Sequence, residues 1–402
     1  MAAGIPVRTL LVGVAERLLV PVVAVFGALV VSAGLILVAG ANPLAAYAAM
    51  FEGALGSVGS LATTGVRMTP ILLTGLAVAL SFRAGVFNVG AEGQLYLGAA
   101  FATAVALVPL GLPAPLHVLL ALVAGAVGGA VWVAVPAYLR AYRGVSEVVT
   151  TLMLNFAGLY FISYLIDPIT GPLGEPGASY AQSFPIQDSA RLPILVRGTS
   201  LHAGLLLGLG LAVLLAVVLR FTTFGFRLRM LGGNPTAARF AGLQTARQIV
   251  VAMLLSGAIA GLAGASEVLG LRLRLFDRFS PGYGYDGIAV ALLAGSNPLA
   301  VVASAGFFGA LRAGANAMQQ ATGLETSVVL IIQALTILFV VFGPLRGWVA
   351  ERQARRASLV PSSVGPSSET MEAAPHGQLA GPTAAKQPVD PPSSALGGSH
   401  AP

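Results

Sequence analysis

Long apolar runs separated by short polar stretches set the pattern of this chain. The first run, residues 18–40, exceeds the ~20 residues a helix needs to cross a bilayer. It is also too long for the roughly 7–15-residue apolar core of a cleaved signal peptide. Residues 42–60 then read as a connection on the outer side. Further spans are predicted over 61–82, 89–110, 116–139, 145–166, 201–219 and 249–271, with a last one over 327–342. Between 288 and 311 the apolar sequence is interrupted by Ser296-Asn297-Pro298, which suits two crossings only if one of them is short or re-entrant. The pattern predicts an all-α polytopic membrane protein with about nine to ten membrane elements, one of them short or re-entrant.

The polar stretches sort by charge. Arginines at 8, 17, 83, 140, 143, 220–247 and 346–356 fall on one side of the alternating crossings, and those at 67, 191, 197, 272, 274 and 278 on the other. The excess marks the first set as cytoplasmic. This places residues 1–17 in the cytoplasm, 18–345 in the membrane domain and 167–200, with five prolines, outside. Residues 346–402 are a Ser-, Pro-, Gly- and Ala-rich segment that cannot bury enough apolar surface to fold, and they read as a disordered cytoplasmic tail.

Composition narrows the class. The chain is 56% hydrophobic and 9% charged, where a soluble protein carries roughly 25% charged residues. Its net charge of +7 is almost all arginine, the only lysine being Lys386. In such a chain the basic excess reads as topology and lipid contact rather than nucleic-acid binding. The lack of cysteine excludes disulfides and thiol chemistry. A lysine-bearing phosphate loop is absent, so nucleotide hydrolysis by that route is excluded. His117, His202, His376 and His400 have no metal-ligand spacing. No metal and no cofactor are expected.

Two kinds of constellation remain. The stretch 220–247 holds five arginines and no acidic residue. In it Gly232, Gly233, Asn234 and Pro235 make a turn, and a short helix is predicted from Thr236, ended by Gly242. It reads either as a solvated loop that sets topology or as a docking surface. The second kind is polar residues inside apolar sequence, which usually face a protein interior or a water-filled path. Asn88, Glu92 and Gln94 lie around Gly90 and Gly93, and Asn155 lies in a span. Asp286 precedes the short apolar run, and Asn316 follows it. Glu92 either pairs with Arg83 at a helix start or lines a solute path. Two glycine-interrupted segments in the two halves of a chain point to such a path.

Four stretches together resemble a known family. They are F-R-A-G-V-F-N-V-G-A-E-G-Q-L-Y-L-G-A at 82–99, G-V-S-E-V-V-T-T-L-M-L-N-F at 144–156, R-M-L-G-G-N-P-T-A-A-R-F-A-G-L at 229–243 and G-Y-D-G-I-A-V-A-L-L-A-G at 284–295. G-A-L-R-A-G-A-N-A-M-Q at 309–319 continues the last of them. They are similar to the permease subunits of ABC importers of the branched-chain amino acid, ribose and nucleoside group, in wording closest to its nucleoside or simple-sugar branch. The resemblance implies an ATP-driven importer of a nucleoside or simple sugar in the cytoplasmic membrane of a prokaryote. ATP hydrolysis would lie on a separate ATP-binding subunit. It also implies a second permease subunit, in a hetero- or homodimer, and an extracytoplasmic solute-binding protein. Carried over, Gly233, Asn234, Pro235, Ala237, Ala238, Arg239 and Gly242 would form the coupling helix that meets the ATP-binding subunit. The alternatives are a permease for another small solute, such as a branched-chain amino acid, and an ion-coupled carrier using Glu92, Glu147 or Glu267.

Overall fold

A computed structural model describes residues 25–323 together with 330–332, 334, 335 and 338. The N-terminal segment 1–17, most of the last predicted span and the predicted tail 346–402 lie outside the described residues. The described chain is helical: α1 (Val25–Val38), α2 (Pro43–Leu55), α3 (Val58–Arg83), α4 (Ala91–Ala106), α5 (Ala114–Tyr138), α6 (Glu147–Leu165), α7 (Gly204–Phe221), α8 (Thr223–Gly233), α9 (Pro235–Phe240), α10 (Thr245–Glu267), α11 (Tyr283–Leu293) and α12 (Pro298–Thr322). Single π-turns extend α5 and α10 over Leu139–Arg143 and Val268–Arg272. Among the described residues six helices are long and apolar enough to cross a membrane, and α1 with α2 forms a further pair bent by 119°.

Three sequence expectations change. The predicted connection 42–60 contains α2, which Asn42 starts by accepting the Leu44 amide at 2.9 Å. The predicted span 89–110 is the 16-residue α4, which begins inside the bundle. The stretch 220–247 holds not one short helix but two, α8 and α9. The expected short element near residue 288 is the 11-residue α11.

Burial follows position in the bundle. α3 is the most enclosed span, and α5, α6 and α7 expose most of their apolar residues, as lipid-facing helices do. The main core joins Leu72, Leu76 and Leu80 of α3 to Leu95 of α4, Met253 of α10, Val290 of α11 and Phe308 of α12. A smaller cluster joins Ile36 and Ala46 to Leu311, Ala315, Met318 and Ile332. The α5–α10 contact is made by Gly125 and Gly129 against Gly257 and Gly261, pairs four residues apart on each helix. A Cβ on Gly257 would come 2.6 Å from the Gly129 carbonyl oxygen. Small residues at this spacing let two membrane helices touch through their backbones.

The two glycine-interrupted segments share one plan in opposite senses. α3 runs to Arg83, the chain turns back into the bundle over 84–90, and α4 leaves from the middle toward the end bearing residues 167–203. There the Ala106 carbonyl accepts the Gln187 amide at 3.0 Å. α10 runs the other way, the chain turns back over 273–282, and α11 leaves from the middle toward Arg83. That arginine donates Nε to the Ser296 carbonyl at 2.9 Å. Gly90 stands at the start of α4 and Gly282 at the start of α11, with Glu92 and Asp286 in the respective first turns.

The 167–203 segment is tied down by local geometry. Asp167 accepts the Thr170 amide at 2.8 Å, the Ile169 amide at 3.0 Å and the Thr170 hydroxyl at 3.0 Å. These bonds, that of the Thr170 amide foremost, hold its carboxyl below the usual range. His117 and His202 are fully buried. His117 Nδ1 meets the Ser189 hydroxyl at 2.8 Å and its Nε2 meets the Val105 carbonyl at 3.2 Å. His202 accepts the Gly204 amide on Nδ1 at 3.2 Å, which leaves the proton on Nε2, an atom with no hydrogen-bond partner among the described residues. Burial pushes the His202 imidazole down to about 4.

Candidate functional site

The helix starts of α4 and α11 meet in the middle of the bundle, and Glu92 stands between them. The first amides of a helix have no partner within it. At α11 they find Glu92 and Ser280: Glu92 Oε2 accepts the Gly284 amide at 2.6 Å, and Ser280 Oγ accepts those of Gly282 and Tyr283 at 3.2 Å each. The Ser280 hydroxyl also bonds the Glu92 carboxylate. Glycine at 284 is required, since a Cβ there would collide with the Glu92 backbone. Two helix N-termini thus point their positive ends at one carboxylate, an arrangement that favours its charge. Glu92 does not pair with Arg83, whose guanidinium is engaged by Ser296.

Asn88 and Gln94 close a second ring. Asn88 Nδ2 donates to Gln94 Oε1 at 2.9 Å, and Gln94 Nε2 donates back to Asn88 Oδ1 at 2.9 Å. The same Asn88 holds Ser256 of α10 at 2.8 Å, and Ser256 Oγ donates to the Ala77 carbonyl of α3 at 2.6 Å. Asn155 joins from α6. Its Oδ1 accepts the Gly93 amide at 2.8 Å, and its Nδ2 donates to the Val89 carbonyl at 2.9 Å and the Tyr285 hydroxyl at 3.3 Å. Asn88, Glu92, Gln94 and Asn155 are all buried. The sequence placed them in two separate segments, and the fold gathers them around the start of α4.

Asp286 and Asn316 part company. Asp286 accepts Arg312 Nε of α12 at 2.6 Å, and Arg312 also lies over the Tyr283 ring at 5.5 Å. A half-buried pair of this kind fixes α11 against α12 by a charge-assisted bond. Asn316 is exposed and makes no side-chain hydrogen bond with the cluster. The other half of the network was not singled out from the sequence: Arg312, Ser256 and Ser280 carry no pattern, since single serines and arginines in apolar sequence have many other uses. Glu147 was named only as a carrier candidate. It accepts the Phe87 amide at 3.2 Å and pairs with Arg140 at 3.1 Å, bracing the 84–90 loop.

At the Arg83 end, the end of α8 meets the 84–90 loop, and α9 follows it. Thr222 caps α8 through the Gly225 amide at 3.2 Å, and Asn234 caps α9 through the Ala237 amide at 3.0 Å. Pro235 occupies the first turn of α9, where its missing N–H costs nothing. Gly242, at φ +82°, closes the helix as the Leu243 amide reaches the Ala238 carbonyl at 3.0 Å. Ala238 is fully buried against the chain's own bundle. Residues 233–237 and 239–242 are exposed, Phe240 at 89%. Gly232 packs on the end of α3, where a Cβ would collide with the Arg83 carbonyl. Gly85, at φ +72°, faces it, with 3.1 Å between its own Cβ position and Gly232 Cα.

Residues 60–341 match the family described as branched-chain amino acid transport system / permease component. The chain is 38% identical over 331 residues to the glucose ABC transporter permease protein TsgB13 of Haloferax volcanii, covering 80% of this chain and 86% of that protein. It is 38% identical over 329 residues to the guanosine ABC transporter permease protein NupP of Bacillus subtilis, covering 81% and 93%. It is 32% identical over 331 residues to the nucleoside ABC transporter permease protein NupB of Lactococcus lactis, covering 81% and 91%. No solved structure matches.

Proposed function

Because the chain belongs to the branched-chain amino acid transport system / permease component family, the membrane-spanning part of ABC importers, we propose that it carries a nucleoside or simple sugar across the cytoplasmic membrane of a prokaryote. The relatives named for guanosine, nucleosides and glucose support a neutral, hydroxylated ring as the solute. Membership implies ATP-binding and solute-binding partners. ATP hydrolysis belongs to the former, since this chain has no lysine-bearing phosphate loop. A second permease subunit completes the passage. The α8–α9 end, the N-terminus and the C-terminus are cytoplasmic, in line with the arginine excess.

The observation that carries the mechanism is the unbroken packing from α9 to the middle of the bundle. Closure of the ATP-binding subunits pushes on Arg239 and Phe240. α8 passes the push through Gly232 to Arg83 and Gly85, where backbone meets backbone and no flexible side chain absorbs it. Arg83 holds the end of α11 through Ser296, and the 84–90 loop carries Asn88 to the start of α4. The two short helices then shift together, because Glu92 joins their starts. In this reading Gly233, Asn234, Pro235, Ala237, Arg239 and Gly242 shape the docking element, and Ala238 seats it on the bundle. Asn88, Glu92, Gln94 and Asn155 brace the broken helices beside the path, and Tyr285 presents its exposed ring next to them. Ion-coupled transport is not favoured by these relatives.

The test is uptake by the assembled importer in proteoliposomes, with labelled guanosine, glucose and leucine offered in turn. ATP-dependent uptake of guanosine or glucose is expected. Uptake of leucine alone would overturn the solute class, and uptake without ATP would overturn the importer mechanism.

A further inference from the structure

Tyr283 opens α11 and is fully buried. A buried phenol needs a partner for its hydroxyl, and Arg67 of α3 supplies it, donating from Nη1 at 3.2 Å. Two turns further along the same face of α3, Thr74 donates its hydroxyl to the Tyr283 carbonyl at 2.9 Å. From α12, Arg312 lies over the ring at 5.5 Å. It also donates Nη2 to the Pro281 carbonyl at 3.3 Å and Nε to the Asp286 carboxylate at 2.6 Å. One side chain thus takes a guanidinium at its hydroxyl and a second over its face. Burial strengthens both kinds of contact.

The two ends of this arrangement lead to opposite sides of the bundle. Arg67 lines a cavity of about 410 Å³ together with Thr63, Gly198 and Ser200. Those three residues are exposed, so the half-buried Arg67 is reached from the outer surface. At the other end of α11, the Ser296 amide bonds the Ala291 carbonyl at 2.8 Å, and the Ser296 carbonyl accepts Arg83 Nε at 2.9 Å. Between these ends α11 lies against α3 so closely that a Cβ on Gly287 would strike Thr74. The 11 residues of α11 make a rod about 16 Å long. A single short helix of this kind shifts as one body between Arg67 and Arg83.

We infer that Tyr283 is a positioning residue that carries the docking of the solute-binding protein at the outer end, through Arg67, into α11 and on to the cytoplasmic end. The inference rests on the reading of the chain as an importer subunit with those partners, and adds to it a signal that runs from outside to inside. Contact at the cavity mouth that displaces Arg67 pulls on the Tyr283 hydroxyl. α11 then moves along α3, and Ser296 moves Arg83 against Gly232 and α8. Tyr283 itself is closed to solvent and touches no partner. Phenylalanine at 283 would keep the ring under Arg312 and lose the bond to Arg67, which separates transmission from packing.

The experiment uses the complete importer in proteoliposomes, with the solute-binding protein loaded with guanosine or glucose, whichever the wild type imports. ATP hydrolysis is measured with and without that protein for wild type, Tyr283→Phe, Arg67→Gln and the double variant. Tyr283→Phe is expected to lower the stimulated rate about fivefold, while the unstimulated rate and binding of the solute-binding protein stay within about twofold. In the Arg67→Gln background Tyr283→Phe should cause no further loss, because both changes remove the same bond. A tyrosine that is merely structural would lower the stimulated and unstimulated rates together. That result, an unchanged stimulated rate in Tyr283→Phe, or a double variant whose losses simply multiply would each overturn the inference. Should Tyr283→Phe fail to insert, Arg67→Gln at the cavity wall carries the comparison, and undiminished stimulation in it overturns the inference equally. A wild type whose ATP hydrolysis ignores the solute-binding protein refutes the importer reading and the inference with it. A wild type that responds, beside a Tyr283→Phe that responds equally, refutes the role of Tyr283 alone.

Discussion

Gly232 and Arg83 meet backbone to backbone: a single methyl on Gly232 would strike the Arg83 carbonyl oxygen. The contact joins the end of α8 to the end of α3, and through Arg83 to the Ser296 carbonyl after α11. Gly232→Ala is therefore expected to force α8 off this seat. Uptake should fall at least about tenfold while the ATP-binding subunit still co-purifies, since α9 itself is untouched. Gly233→Ala is the control, because nothing lies within 4 Å of its Cβ position. Equal uptake in the two variants would remove Gly232 from the transmission route.

Phe240 is the large apolar side chain that α9 leaves uncovered, at 89% exposure, and exposed aromatics of this kind anchor interfaces. Phe240→Ala should reduce co-purification of the ATP-binding subunit, by about 2 kcal/mol if it is a central anchor. Ala238→Trp is expected to act differently. Ala238 is buried in its own chain, so a bulky ring there overpacks the seat of α9 and lowers protein level first. Normal docking with Phe240→Ala would show that another surface holds the partner.

Glu92→Ala leaves the Gly284 amide buried without an acceptor, at a cost of roughly 1–3 kcal/mol. Glu92→Gln keeps an acceptor oxygen and loses the charge between two helix starts, so its loss should be smaller. Glu175→Gln, in a partly exposed pair with Arg274 and Gln182, should cost no more than about 1 kcal/mol. Thermal unfolding in detergent orders the three variants. If Glu92→Ala unfolds at the wild-type temperature, Glu92 does not brace α11.

His202 gives a pH signature. Its imidazole is pushed down to about 4 in the folded protein, against roughly 6.5 when unfolded. The unfolded chain therefore binds the proton first as pH falls. Stability from neutral His202 is complete above pH ~6.5 and is lost progressively toward pH ~4, by roughly 3 kcal/mol in all. His202→Asn retains an acceptor for the Gly204 amide and has no proton to bind. The difference in unfolding temperature between wild type and this variant should narrow as pH is lowered from 7 to 4.5. A difference that is constant with pH would show that His202 does not titrate in this window.

The class of this protein was legible from residue order alone. Apolar runs near the length of a bilayer and arginines collected at alternate connections make a polytopic membrane protein, and the sequence carries no lysine-bearing phosphate loop. The start and stop of α9 were equally legible, because Asn234, Pro235 and Gly242 act on their own backbone within a few residues. The residues that could not stay in lipid unpaired, Asn88, Glu92, Gln94, Asn155 and Asp286, were legible as important for the same local reason: each is costly wherever it lies.

What each of them bonds to was decided only by tertiary structure. Glu92 looked toward Arg83, nine residues away, and found Gly284, 192 residues away. A helix start inside the bundle leaves amides that must be satisfied, and nothing in the local sequence of α4 says that α11 will begin beside it. Asn316 looked like its neighbours and faces outward, since one step around a helix exchanges inside for outside. Ala238 looked like a docking residue and turned inward for the same reason. Chain composition fixes how many polar groups must be satisfied, but pairing depends on which backbones approach. Here that approach is set by glycines at 232 and 284, where backbones close to distances that no side chain permits.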